Sequence, residues 1–145
     1  MRYEIMAQSA PLNSPTILIV ENEAIVRMEL AAQLTDFGFK VLVASDADEA
    51  IDLLDSHQEI ELLLTDVTMP GSMDGVRLAH HVRKRWPPIK IVVTSGRLGT
   101  KLSDLPLGSA FFPKPYDSET LRKTLTPFLS GNRAEFGGGA ARAAR

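Results

Sequence analysis

Five short runs of this chain are apolar at nearly every position: Ile17-Leu18-Ile19-Val20, Val41-Leu42-Val43-Ala44, Leu62-Leu63-Leu64-Thr65, Ile89 to Thr94 and Ala110-Phe111-Phe112. A strand with one wet face alternates apolar and polar residues, so strands without alternation must be covered on both faces. That condition selects an α/β domain, a parallel sheet with helices above and below it. The intervening stretches suit those helices, over Glu23–Thr35, Asp46–Ser56, Asp74–Trp86 and Asp117–Leu129. Gly38 is placed to stop the first, Pro87-Pro88 ends the third, and Asp46 and Asp117 (or Ser118) stand where caps belong. Pro113 closes the fifth strand and cannot donate to a ladder, which assigns that strand to an edge. Right-handed crossovers then gather every β-to-α loop at the carboxyl edge, where such sheets bind ligands.

Residues 1–15, with Pro11 and Pro15 among Ser and Asn, show no sustained period and read as a flexible leader. Residues 130–145 contain Gly137-Gly138-Gly139 and read as a disordered tail. One domain over 16–129 remains, and a chain 44% hydrophobic can give it a full core. The net charge of −2 offers no general attraction to nucleic acid or anionic membrane, so neither is expected as a partner. With no cysteine, thiolate metal sites and Cys nucleophiles are excluded. Lacking an apolar stretch of roughly 20 residues, the chain is expected to be soluble and cytoplasmic.

Four pieces fall at the carboxyl edge: Glu21-Asn22-Glu23, Asp66, Thr94-Ser95-Gly96 and Lys114-Pro115-Tyr116. Asp66 ends an apolar run and precedes Val67-Thr68-Met69-Pro70-Gly71, a turn that leaves its carboxylate on the lip of the sheet. Acids, a hydroxyl and a lysine are the groups needed to hold a divalent cation and a phosphoryl group on an aspartate. A run of bases, His80 to Arg85, ends the third helix; it suits the helix dipole and reads as a solvated face.

Taken in order, Ile17 to Glu23, Leu63 to Pro70, Met73-Asp74-Gly75, Val92 to Gly96 and Pro113 to Tyr116 resemble the receiver domain of two-component response regulators. The resemblance implies a flavodoxin-like fold with strand order 2-1-3-4-5. It implies that Asp66 accepts a phosphoryl group from a sensor histidine kinase or phosphotransfer protein, assisted by Thr94 and Lys114. Thr94 and Phe111 match the switch pair, and Lys114-Pro115 matches a bond usually cis in the family. Glu21, Asn22, Asp66 and the backbone carbonyl of Thr68 match the positions that hold Mg²⁺. Such a protein is not an enzyme acting on a separate substrate; it assists its own phosphorylation and dephosphorylation and signals to a downstream protein.

Two features depart from that family. Receivers usually carry two aspartates where this chain has Glu21 and Asn22, and an amide ligates Mg²⁺ without charge, so weak binding is expected. Between the fourth and fifth strands, Gly96 and Pro106 leave little room for a helix, which should be short or frayed. The alternative function is a pseudo-receiver that binds protein without phosphorylation. A phosphatase of the haloacid-dehalogenase type would need a second acid where Thr68 stands, and a helical phosphotransfer bundle is incompatible with five buried strands.

Overall fold

The computed structural model describes residues 14–96, 99–128 and 142–143. Its elements run β1 (Thr16–Val20), α1 (Ala24–Phe37), β2 (Lys40–Ala44), α2 (Ala47–Ser56), β3 (Ile60–Asp66), α3 (Gly75–Arg85), β4 (Lys90–Ser95), β5 (Ala110–Pro113) and α4 (Ser118–Leu125). Five strands are parallel, as the apolar runs required, and lie in the order β2-β1-β3-β4-β5 that the family resemblance implied.

The lack of alternation has a direct cause. Leu18, Leu63, Ile91 and Val93 pack on one face beneath α2 and α3, where they meet Leu53, Leu78 and Val82. Ile17, Ile19, Leu62, Leu64 and Val92 pack on the other, against Leu30 and Leu34 of α1 and Leu121 and Leu125 of α4. The apolar positions on both sides of the central strands thus meet a helix layer, and each fully buried Leu or Ile contributes roughly 1.5–3 kcal/mol relative to exposure.

The helix ends follow their local chemistry. Asp46, Asp74 and Asp117 each accept a hydrogen bond from a backbone N–H in the first turn of the helix that follows. Gly38 closes α1 in the left-handed region at φ 111°, which residues with a Cβ rarely adopt. The last α-helix is shorter than the sequence pattern suggests. After Leu125 the chain tightens into a 3-10 turn over Thr126–Phe128, because Pro127 has no N–H to continue the ladder. Leu129 lies outside the described residues.

Between β4 and β5 the described residues hold a single 3-10 turn, Leu102–Asp104. It is anchored by its neighbours: His80 Nε2 lies 2.7 Å from the Asp104 carbonyl, and Arg83 donates to the Leu107 carbonyl. The basic end of α3 is therefore not wholly solvated, since Arg83 also bonds the carbonyls of Pro87 and Ile89.

Two backbone contacts fall within the segments read from the sequence as leader and tail. The Pro15 carbonyl accepts from Lys40 N–H at 3.0 Å, which ties the end of the expected leader to β2; residues 1–13 lie outside the described residues. Within the expected disordered tail, Arg142–Ala143 forms a two-residue β6 paired antiparallel with β5. The pairing uses Ala110 and Phe111 and stops short of Pro113, which has no N–H to donate. The other residues of that tail lie outside the description. None of the helices among the described residues is long and apolar enough to cross a membrane.

Candidate functional site

Register puts the four strand-end pieces side by side. Val20 pairs with Thr65, Asp66 with Thr94, and Ser95 with Pro113, so Glu21, Asp66, Thr94 and Lys114 emerge along one edge. The Val67 N–H donates to the Thr94 carbonyl at 2.9 Å and the Lys114 N–H to Ser95 at 2.8 Å, which fixes the edge beyond the last ladder pairs.

Lys114 reaches back across β4. Its Nζ lies 3.2 Å from Asp66 Oδ2 and 3.8 Å from Glu21 Oε1. Both carboxylates are buried and the ammonium is partly so. A charge-assisted contact between such groups is stronger than an exposed ion pair. The Lys114-Pro115 bond is cis, as the motif implied. Asp66 Oδ1 faces the Thr68 N–H at 3.4 Å, a long contact that leaves this oxygen weakly engaged. Thr94 is buried in register with Asp66.

The acid pair separates. Glu21 turns inward: its Oε2 accepts from the Glu23 N–H at 3.0 Å, and its backbone carbonyl accepts from Arg27 at 2.8 Å. Burial pushes its carboxyl above the usual range, the Asp66 charge adds to this, and the Glu23 N–H and Lys114 oppose it. Asn22 stays exposed. It lines a cleft of about 410 Å³ together with Glu23, Asp66, Thr68, Pro70, Gly96 and Lys114. Of the residues matched to the metal site, Asn22, Asp66 and Thr68 therefore share the cleft and Glu21 stands behind it. Its oxygen donors suit a hard cation. Among the described residues, however, no three His, Cys, Asp or Glu side chains converge closely enough to form a metal cluster.

Phe111 is half-buried against the core beneath α2 and α3, while Phe112 points to the opposite face and meets the Tyr116 ring at 5.4 Å. Three residues near the site gain weight that sequence reasoning did not assign. Glu23 caps no backbone group with its side chain and lines the cleft. The Tyr116 phenol is pushed up by burial, then by the Glu21 and Asp66 charges, which places it in the field of the same carboxylates. Gly75 lies against the Asp66 backbone. All three stand inside the motifs, but the contact of Gly75 with the Asp66 backbone spans nine residues and no local pattern announces it.

Fold and edge together define a class: a doubly covered parallel sheet presenting an aspartate to a lysine across its carboxyl edge. The family model for the response regulator receiver domain matches residues 17–126, and the chain belongs to that family. It is 33% identical over 120 residues to the sensor kinase CckA of Brucella abortus, covering 80% of this chain and 13% of that protein. It is 32% identical over 124 residues to the probable transcriptional regulator ycf27 of Guillardia theta, covering 83% of this chain and 48% of that one. The chain thus spans less than half of either relative. Among solved structures, a response regulator receiver protein from Sinorhizobium medicae superposes with a TM-score of 0.74 at 29% identity, covering 84% of this chain and 99% of that one.

Proposed function

We propose that the chain accepts a phosphoryl group on Asp66 from a phosphohistidine of a sensor kinase or phosphotransfer protein, and passes the signal on through protein contacts. The observation that carries this reading is the Lys114 ammonium 3.2 Å from Asp66 Oδ2, on a carboxylate that meets, among the described residues, one further long contact from a backbone N–H. In the transfer an Asp66 oxygen attacks phosphorus, the P–N bond to the donor histidine breaks, and the imidazole leaves with the bonding pair. Lys114 then neutralises charge on a phosphoryl oxygen. The Thr94 hydroxyl, at the neighbouring strand end, donates to another. Hydrolysis of the acyl phosphate returns the carboxylate, so the chain assists its own resetting without acting on a separate substrate.

Asp66, Asn22 and the Thr68 carbonyl are the groups that would hold Mg²⁺, with Glu21 adding charge from behind. When bound, the ion offsets the negative charge of the phosphoryl oxygens. Weak affinity is expected of a site in which an amide replaces a carboxylate. Phe111, half-buried, is suited to turning inward as Thr94 moves.

The surface beside the cleft supports a protein partner. Ile25 and Met28, three residues apart on α1, whose N-cap Glu23 lines the cleft, are 72% and 64% exposed, and two exposed apolar side chains on one helix face suit a docking helix. The reading places the protein in the cytoplasm and requires neither DNA nor membrane.

Incubation with acetyl phosphate and Mg²⁺ followed by intact-mass measurement tests it. One added phosphate, lost on brief base treatment, is the expected result. An unmodified mass, with protein partners still captured, would favour the second reading. That reading, a pseudo-receiver that binds protein without phosphorylation, draws on Glu21 and Asn22 standing where the family usually has two aspartates.

A further inference from the structure

We propose that Gly75 is a positioning residue for Asp66, because only a residue without a Cβ lets the first turn of α3 seat directly on the Asp66–Val67 peptide. The inference rests on Asp66 being the acceptor. A Cβ at position 75 would stand 1.9 Å from the Asp66 carbonyl oxygen, 2.7 Å from its carbonyl carbon and 2.9 Å from Val67 Cα. All three are backbone atoms and cannot rotate aside. Since Cβ contacts under 3.0 Å essentially do not occur, the two elements would have to separate by about 1 Å.

Neither element can yield freely. The tip of β3 is held by the Asp66–Thr94 pairing and by the Val67 N–H on the Thr94 carbonyl. Buried Leu78, Ala79 and Val82 hold α3 against the sheet. Between them the Gly75 N–H donates to the Val67 carbonyl at 2.8 Å, so the helix start and strand end form one joint. Any separation is absorbed at that joint, whose other end is the 3.2 Å contact of Asp66 with Lys114. A misplacement of about 1 Å at reacting groups can slow a reaction on the order of 100-fold.

Gly71, in the same loop, has the opposite character. Its φ of 103° demands glycine for torsional reasons, while a Cβ there would meet nothing within 4 Å. Space is the requirement at Gly75 and conformation the requirement at Gly71, which makes the pair a matched test.

The experiment measures the initial rate of labelling by acetyl phosphate with Mg²⁺ for the full chain and for Gly75→Ala, Gly71→Ala and Asp74→Ala, together with melting temperatures. A crystal structure of Gly75→Ala completes it. Gly75→Ala should label roughly 10- to 100-fold more slowly, with the Nζ–Oδ2 distance widened beyond 4 Å, while Gly71→Ala loses melting temperature and labels near the native rate. A native rate in Gly75→Ala, or equal slowing in Gly71→Ala, overturns the proposal. If Gly75→Ala does not fold, Asp74→Ala decides. It removes only the cap that starts α3, so a several-fold slower rate supports the joint and a native rate overturns it. Should the native chain take no label, the acceptor reading fails. The positional claim then stands or falls on the Lys114–Asp66 distance in Gly75→Ala, a widened distance supporting it and an unchanged one overturning it.

Discussion

Asn22→Asp tests whether charge limits the metal site. Asn22 is exposed on the wall of the cleft that Asp66 also lines. A new carboxylate there would sit about 4 Å from a bound cation, worth ~1 kcal/mol per unit of cation charge in bulk water and ~4 kcal/mol at an effective dielectric near 20, so ~2 and ~8 kcal/mol for Mg²⁺. The cleft is open to solvent on one side and walled by buried Asp66 on the other, so the gain lies between these limits. At about 1.4 kcal/mol per decade, and with a displaced water recovering part of it, Mg²⁺ should bind one to two decades more tightly. Without metal the same carboxylate repels Asp66 and Glu21, and Lys114 already faces both. The variant should therefore melt lower than the native chain in chelator and regain stability as Mg²⁺ is added. Calorimetric titration of both proteins reads the affinity directly. Equal affinities would refute the reasoning and identify Glu23, already in the cleft, as the source of the missing charge.

Glu21→Gln should flatten the dependence of stability on pH. Burial raises the native carboxyl of Glu21 above 4.5, so the folded state holds this proton more tightly than the unfolded chain. Stability contributed here is greatest at low pH and falls as pH rises from 4.5 through the raised native value; urea melts across that window would show the slope reduced in the variant. Ile25→Glu with Met28→Glu should slow transfer from a phosphohistidine partner about 10-fold or more while labelling by acetyl phosphate is unchanged; equal slowing of both would place the defect inside the site. Leu63→Ala removes a fully buried side chain from the centre of β3 and should cost roughly 2–5 kcal/mol in chemical denaturation.

Much of this architecture is written in short-range pattern. Unbroken apolar runs require two covering layers, and the residues that end them, Asp66, Thr94 and Lys114, are the ones register aligns. Asp46, Asp117 and Gly38 announced their helix ends because caps are local chemistry. What escaped depends on three dimensions. Whether Glu21 or Glu23 faces the cleft is decided by one backbone N–H that turns Glu21 inward. Arg83 looked like one base among several, and only the fold brings the carbonyls of Ile89 and Leu107 within its reach. The β5–β6 pairing joins segments too far apart for any local period to signal.

The central claim is that Asp66 is the acceptor. Acetyl phosphate labelling with Mg²⁺, borohydride reduction of the acyl phosphate to homoserine, and peptide mass spectrometry locate it in one measurement. The account predicts homoserine at position 66 and no label in Asp66→Asn. Homoserine at another acid, or undiminished labelling of Asp66→Asn, would contradict it.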